Sequence, residues 1–202
     1  PNEIEGFSTQ RCLYAGHGAD VYTVHFVAKL NKPIAEFGGW VGDEVRRGVK
    51  RISCGGEDPK IDIGGFAEFA TEAGEQVTLQ TGISFVSIEQ ARLNLQTEIE
   101  PFDGEFDAVH RHARDTWNRL LGLIQVEGGT PEEKIKFYTN LYRSYCARTI
   151  FSDVDGKYVD MYERVQQLDN PESPMLGCDA FWNTFWNLNQ LWILATPEMA
   201  GQ

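Results

Sequence analysis

The chain has 202 residues, which allows one or two domains and a substantial core. Its formal net charge of −12 at pH 7 argues against nucleic acid or an anionic membrane as the main partner. Aromatic residues at 12% fit a packed protein and also a carbohydrate binder.

Residues 1–86 read as β. Val21 to Ala28 alternates, with Val21, Thr23, His25 and Val27 on one face and Tyr22, Val24 and Phe26 on the other. His25 stands among β-branched neighbours and is expected to be a satisfied structural histidine. Asn31-Lys32-Pro33 turns the chain, and Ile34 to Trp40 and Arg46 to Cys54 supply further extended runs. Gly65 to Thr71 and Glu75 to Val86 follow, joined by Glu72-Ala73-Gly74 as in a hairpin. Short strands at this spacing predict a sandwich. Pro1 already stands inside strand-rich sequence, so the chain is expected to be a piece of a longer protein. These residues contain no Asn-x-Ser/Thr sequon and no signal-peptide pattern, and in a piece of a longer protein the missing leader says nothing.

The period changes at Ser87. Ser87 with Gln90 makes a capping box, and Ile88, Ala91, Leu95 and Ile99 follow one helical face until Pro101 breaks it. A longer helix is predicted over 103–123, with Phe102, Phe106, Val109, Ala113, Trp117, Leu120 and Ile124 as its stripe. His110 and His112, two residues apart, do not share a helix face and make a poor metal pair. Thr130, Pro131 and Glu133 start the next helix with a second capping box, and Ile135, Tyr138, Leu141, Tyr142 and Tyr145 form its apolar face. The four cysteines, Cys12, Cys54, Cys146 and Cys178, have no metal-binding spacing. Cys12 and Cys54 suit a disulfide if the protein is exported; Cys146 is expected to be a buried thiol.

Asp153-Val154-Asp155-Gly156 resembles the start of a calcium loop, but Lys157 and Tyr158 occupy positions where an EF-hand needs an oxygen ligand and a glycine. A plain Asp-Gly hairpin is expected instead. The run from Gly177 to Leu194 then holds three of the five tryptophans, and no charged residue separates Asp179 from Glu198. Read as a helix capped by Asp179 and stopped by Thr196-Pro197, it places Asp179, Asn183, Asn187 and Gln190 within an arc of about 80°. Trp182 and Trp186 flank that polar stripe one turn apart. A helix this apolar should be buried, and its amides then need partners. Two readings follow: a core helix with internally satisfied amides, or a wet pocket in which aromatic faces and amides hold a sugar. Four amides and its short length argue against a membrane span, which takes roughly 20 apolar residues.

Four blocks together resemble glycoside hydrolase family 92, the calcium-dependent, inverting α-mannosidases. They are Tyr22-Thr23-Val24-His25-Phe26 with Lys32-Pro33; Gly82 to Leu95; Trp117-Asn118-Arg119-Leu120-Leu121 through Phe137 to Arg143; and the Asp153-to-Tyr158 turn. They occur in the family's order and span most of the chain. The resemblance implies a multidomain α and β architecture: a β-sandwich portion (1–86), a helical linker (87–126) and the first helices of an (α/α)6 barrel catalytic domain (127–202).

It also implies a role for the aromatic run, because Trp182-Asn183-Thr184-Phe185-Trp186 matches the family's Trp-Asp-Thr-Phe/Tyr-Arg with two departures. Asn183 replaces the carboxylate and Trp186 the arginine; Asp179, one turn earlier, is the candidate to restore the lost charge. Asp179, Trp182, Asn183 and Trp186 are the expected substrate-binding residues. No catalytic acid or base and no metal ligand is expected in this chain; the calcium ligands belong to later sequence. Mannose-containing glycans and the remainder of the same polypeptide are the implied partners, with a secreted or bacterial periplasmic location. Two other classes remain open: a non-catalytic carbohydrate-binding module, and a structural interaction domain.

Overall fold

A computed structural model describes residues 2–12, 20–55, 62–146, 149–177 and 184–201. Six strands come first: β1 (Glu3–Cys12), β2 (Asp20–Leu30), β3 (Glu36–Val41), β4 (Glu44–Arg47), β5 (Ile63–Glu68) and β6 (Leu79–Ser84). They form two sheets, ordered β1-β2-β6 and β4-β3-β5. Helices α1 (Ile88–Glu98), α2 (Phe106–Leu121) and α3 (Pro131–Tyr145) follow, then short strands β7 (Thr149–Ile150), β8 (Lys157–Val159), β9 (Val165–Gln167) and β10 (Leu176–Gly177), and last α4 (Leu188–Ala195) and α5 (Pro197–Ala200). A β-sheet part followed by helices is the order expected from the sequence.

The chain divides into two compact units, residues 1–5 with 28–81 and residues 6–27 with 82–202. In the first unit β3 is the centre of an antiparallel three-stranded sheet. Trp40 lies opposite Gly64, and Gly38 opposite Phe66, so each ring covers the space its partner leaves empty. A side chain at Gly64 would strike the Trp40 indole, and one at Gly38 the Phe66 ring. Along the same sheet Arg47 pairs with Glu68 and Glu36, and its guanidinium sits 5.3 Å from the Phe66 ring centre. Two expectations change here. The run 46–54 is strand only as far as Arg47. Glu72-Ala73-Gly74 makes a turn, but the strands beside it do not pair: β5 binds β3, while β6 joins β2. Nothing local in that turn records which sheet each strand joins.

In the second unit the core is Val27, Ala91 and Leu95, with Ile88 and Ile99 packed against it. These are the helical face read from the sequence and one strand residue. Gly82 permits the contact, since a Cβ there would collide with the Ala91 carbonyl oxygen and with Leu95. Ser87 caps α1 by accepting the Gln90 amide at 3.2 Å. The return half of that box is replaced: the Gln90 side chain donates to Asp155 at 3.0 Å. Pro101 sits in a 3-10 turn, Glu100–Phe102, that ends at left-handed Asp103 and delays α2 to Phe106. The α2 stripe is less covered than its pattern implies, with Phe106 73% exposed and stacked on His110.

Helix α3 has both bonds of its capping box, Thr130 Oγ1 accepting from Glu133 N and Glu133 Oε2 from Thr130 N. It packs on α2 through Trp117 and Tyr142, whose rings lie 4.5 Å apart, and Tyr138 donates its hydroxyl to Ile124 O. Cys146, expected buried, is an exposed free thiol one residue past α3. Cys54 is likewise exposed and free. No helix among the described residues is long and apolar enough to cross a membrane.

Candidate functional site

Asp179, Trp182 and Asn183 lie outside the described residues; Trp186 lies within them. The continuous helix expected over 179–194 is interrupted at 184–187. Residues 184–187 are turns, and α4 begins at Leu188 with Asn187 as an N-cap whose side chain makes no capping bond among the described residues. Thr184 is buried and its carbonyl accepts from Asn189 N. Gln190 turns back to donate to Phe185 O at 2.9 Å. Within these 202 residues Phe185 is 60% and Trp186 66% exposed, and Ile193 and Leu194 face outward too. Phe185 and Trp186 meet edge to face at 5.7 Å. Trp192 instead points inward, donating its indole N–H to Ser144 O on α3.

The backbone that leads into 178–183 is firmly held. β10 pairs antiparallel with β7, Leu176 opposite Ile150 and Gly177 opposite Thr149. Phe151 N donates to Met175 O, and Met175 N to Ser152 Oγ at 3.1 Å. Gly177 lies against the Phe151 ring so closely that a Cβ would need its neighbour to yield. Phe151 stacks on Phe85 at 4.6 Å, and Phe85 meets Tyr22.

Beside this ribbon lies a buried polar cluster centred on Asp153. Its Oδ2 accepts from Ser84 Oγ at 2.8 Å and its Oδ1 from Asn94 Nδ2 at 2.7 Å. Asn94 also donates to Ile83 O and accepts from Val154 N. One buried side chain on α1 thus ties β6 to the 153–156 turn. Burial pushes the Asp153 carboxyl above the usual carboxylate range, although the Asn94 and Ser84 bonds pull the other way. Glu98 is raised as well, first by burial and then by the nearby Asp153 charge.

The Asp-Gly turn itself differs from a plain hairpin. Gly156 (φ 85°) closes the turn by donating to Asp153 O, a conformation that suits glycine. The strands on either side pair elsewhere, β7 with β10 and β8 with β9. Asp155 accepts from Gln90 and from both nitrogens of Lys157. Burial would raise it, but these bonds outweigh that and hold it below its ordinary value. Asp160 accepts from Tyr162 N, Arg164 N and Nε, and Gln166 Nε2, which together overcome desolvation and hold it far below the usual range.

All three aspartates therefore have both oxygens engaged by protein donors. The sequence pattern marks Asp153 as a turn residue only and does not reveal its burial. Asn94 carries the available signal: an amide three residues after Ala91 and beside Leu95 on a core-facing stripe must find buried partners. His25, expected to be satisfied, has a buried Nδ1 without a partner among the described residues, beside the Phe7 ring. No group of three or more carboxylate, thiol or imidazole side chains among the described residues is arranged to hold a metal. These residues do not fit a calcium centre, so no chemistry is assigned through one.

Two adjoining family descriptions match the chain: the N-terminal domain of glycosyl hydrolase family 92 over residues 1–84, and its catalytic domain over residues 90–202. The chain belongs to glycosyl hydrolase family 92. Among solved structures, a family 92 inverting mannosidase from Bacteroides thetaiotaomicron matches 95% of this chain with a TM-score of 0.75 and 26% identity. A family 92 α-mannosidase from the same organism shares the fold at a TM-score of 0.68 and 23% identity over 94% of the chain. An uncharacterized secreted glycosidase from Arthroderma benhamiae is 30% identical over 113 residues, 48% of this chain. The chain spans 24% and 26% of those two structures and 15% of the fungal relative.

Proposed function

We propose that this chain is the sandwich end, helical linker and first barrel helices of an exo-acting α-mannosidase that removes terminal α-linked mannose with inversion. The division proposed is 1–86, 87–126 and 127–202, the last opening an (α/α)6 barrel. The observation that carries the reading is the pair of consecutive family 92 matches, N-terminal domain then catalytic domain, along one chain. The name of the Bacteroides relative, an inverting mannosidase, supports the substrate and the stereochemistry.

Asp179, Trp182, Asn183 and Trp186 are the proposed sugar contacts. The indole of Trp186 and the phenyl ring of Phe185, which meet edge to face, suit the C–H face of a hexose. Asn183 both donates and accepts hydrogen bonds, so it can serve a hydroxyl in two ways where a carboxylate serves in one. Trp186, in place of a cation, favours stacking over charge. Inversion requires an acid and a base carboxylate about 6.5–9.5 Å apart with water between. The engagement of Asp153, Asp155 and Asp160 supports placing that pair, and the ligands of an activating calcium, in sequence outside this chain. The sequence match to a secreted glycosidase supports an exported protein.

The test is mannose release from α-mannosides by the intact protein, lost with a calcium chelator and regained with calcium. The 202-residue piece alone is expected to release none. Trp186→Ala in the intact enzyme should raise KM about tenfold, the scale of one lost aromatic contact. An unchanged KM would remove Trp186 from the site.

A further inference from the structure

We propose that one face of the β4-β3-β5 sheet is a glycan-binding site, in which the Trp40 indole stacks on a mannose ring and Arg47, Glu36 and Glu68 hydrogen-bond its hydroxyls. The choice of mannose rests on the mannosidase reading; the platform itself uses none of residues 178–194. Directly opposite residues of an antiparallel sheet share a face. The register therefore sets three rows on this face: Val45 with Trp40 and Gly64, Arg47 with Gly38 and Phe66, and Glu36 with Glu68. Successive rows lie about 7 Å apart along the strands. The two glycines decide the shape of the surface. With no side chain at Gly64, the benzo half of the Trp40 indole lies over that residue, and the Phe66 ring lies likewise over Gly38. A side chain at either glycine would push its ring up from the sheet, so the pair makes a low platform.

The polar half of the site is fixed beside the rings. Arg47 donates to Glu68 and to Glu36, and its guanidinium sits over the Phe66 ring, 5.3 Å from the centre. Exposed ion pairs add little to stability, because holding a long side chain costs rotamer freedom. Three contacts on one exposed arginine are better accounted for as a hydrogen-bonding group set in advance of its ligand. The three charged groups hold more donor and acceptor positions than their mutual bonds use. Adjacent sugar hydroxyls can therefore meet a guanidinium on one side and a carboxylate on the other. Trp40, with Val45 beside it, offers the C–H face of the same ring its stacking partner. Burying a guanidinium and two carboxylates would be costly, which argues that this face meets water in the intact protein. Shielding of the glycine amides explains the two rings but not the charged trio next to them.

The experiment uses the intact protein with Trp40→Ala, Arg47→Ala and Val45→Arg, and Phe37→Ala as the control. Phe37 belongs to the same strand as Trp40 but lies on the opposite face, against Gly65. The Kd for soluble α-mannan is read from retardation in native gels, and the thermal midpoint of each variant is measured beside it. Each of the first three substitutions should raise Kd about tenfold, the scale of one lost aromatic or charged contact. Phe37→Ala should leave it at the wild-type value. Trp40→Ala also bares the backbone at Gly64, so Val45→Arg decides the matter if that variant does not fold. It leaves the indole in place and lays a guanidinium over it, as Arg47 covers Phe66. An unchanged Kd in Val45→Arg and Arg47→Ala overturns the proposal, as does an equal rise in Phe37→Ala or a wild-type protein that mannan does not retard. An exposed substitution should shift the midpoint by about 2 °C or less, so a fall of more than about 5 °C in Val45→Arg places position 45 in a covered interface and also overturns it. A protein that binds mannan yet releases no mannose ends the mannosidase reading and leaves the platform standing.

Discussion

Replacing Asn94 by Asp exchanges one NH2 for an oxygen at the centre of the buried cluster. The wild-type amide donates to Asp153 Oδ1 at 2.7 Å and to Ile83 O at 2.8 Å. An ionised aspartate donates to neither and sets a second negative charge against the first. Two unit charges about 3 Å apart repel by about 5 kcal/mol at an effective dielectric of ~20. The lost bond to a charged acceptor adds about 1.5–3 kcal/mol. The pair limits this cost by binding a proton, since each unit of raised pKa corresponds to about 1.4 kcal/mol. We expect Asn94→Asp to destabilise by about 4–6 kcal/mol at pH 8 and by about 1–2 kcal/mol at pH 5.

The sign follows from linkage. The shared carboxyls have a folded pKa above their unfolded value of about 3.9, so the penalty is full above the folded pKa and is relieved as pH falls through it. Once protonated, the introduced carboxyl again donates to Asp153. At about 2–4 °C per kcal/mol, the thermal midpoint should fall about 10–20 °C at pH 8 and only a few degrees at pH 5. Midpoints are compared as variant minus wild type, because Asp153 is already raised by burial and acidification relieves the wild-type protein a little too. An equal fall at both pH values would refute the account of a buried charge held by one amide.

Other substitutions test separate parts of the fold. Leu95→Ala removes a side chain that is 2% exposed at the centre of the second unit and should cost about 2–5 kcal/mol in denaturant unfolding. Gly82→Ala should cost about 1–3 kcal/mol, and Leu95→Ala should not rescue it, because the Ala91 carbonyl blocks the new methyl whatever stands at 95. Thr130→Ala should cost about 1 kcal/mol and speed exchange in the first turn of α3 only. Asp160, with its folded pKa depressed, should keep the 160–164 turn protected above the unfolded value of about 3.9, and that protection should be lost as pH falls further.

What can be read from the chain is what neighbours in sequence decide. Ser87, Thr130 and Pro131 announce helix starts, and Ile88, Ala91, Leu95 and Ile99 announce a core face, because caps and helical periods act over three or four residues. Strand partners are not legible. Whether 63–68 binds 79–84 or 36–41 depends on packing that no turn encodes. The Asp153 cluster is hidden for the same reason, since Ser84 and Asn94 lie 69 and 59 residues away. The aromatic run misleads in another way. Its apolar positions suit a helix, but residues 184–187 form turns and Gln190 closes back on the Phe185 carbonyl, so α4 starts at Leu188. Of the proposed contacts, only Trp186 falls within the described residues.

The glycine-centred sheet of the first unit has a mutational consequence. At Gly64 and Gly38 the backbone is shielded by a ring that belongs to the neighbouring strand, Trp40 for one and Phe66 for the other. Neither partner is free to drift alone. Enlarging a glycine evicts its ring, and shrinking a ring to alanine bares the amides of the strand across from it. Change at either site is therefore expected to be tolerated only as a matched exchange, a smaller cover on one strand for a bulkier residue directly opposite.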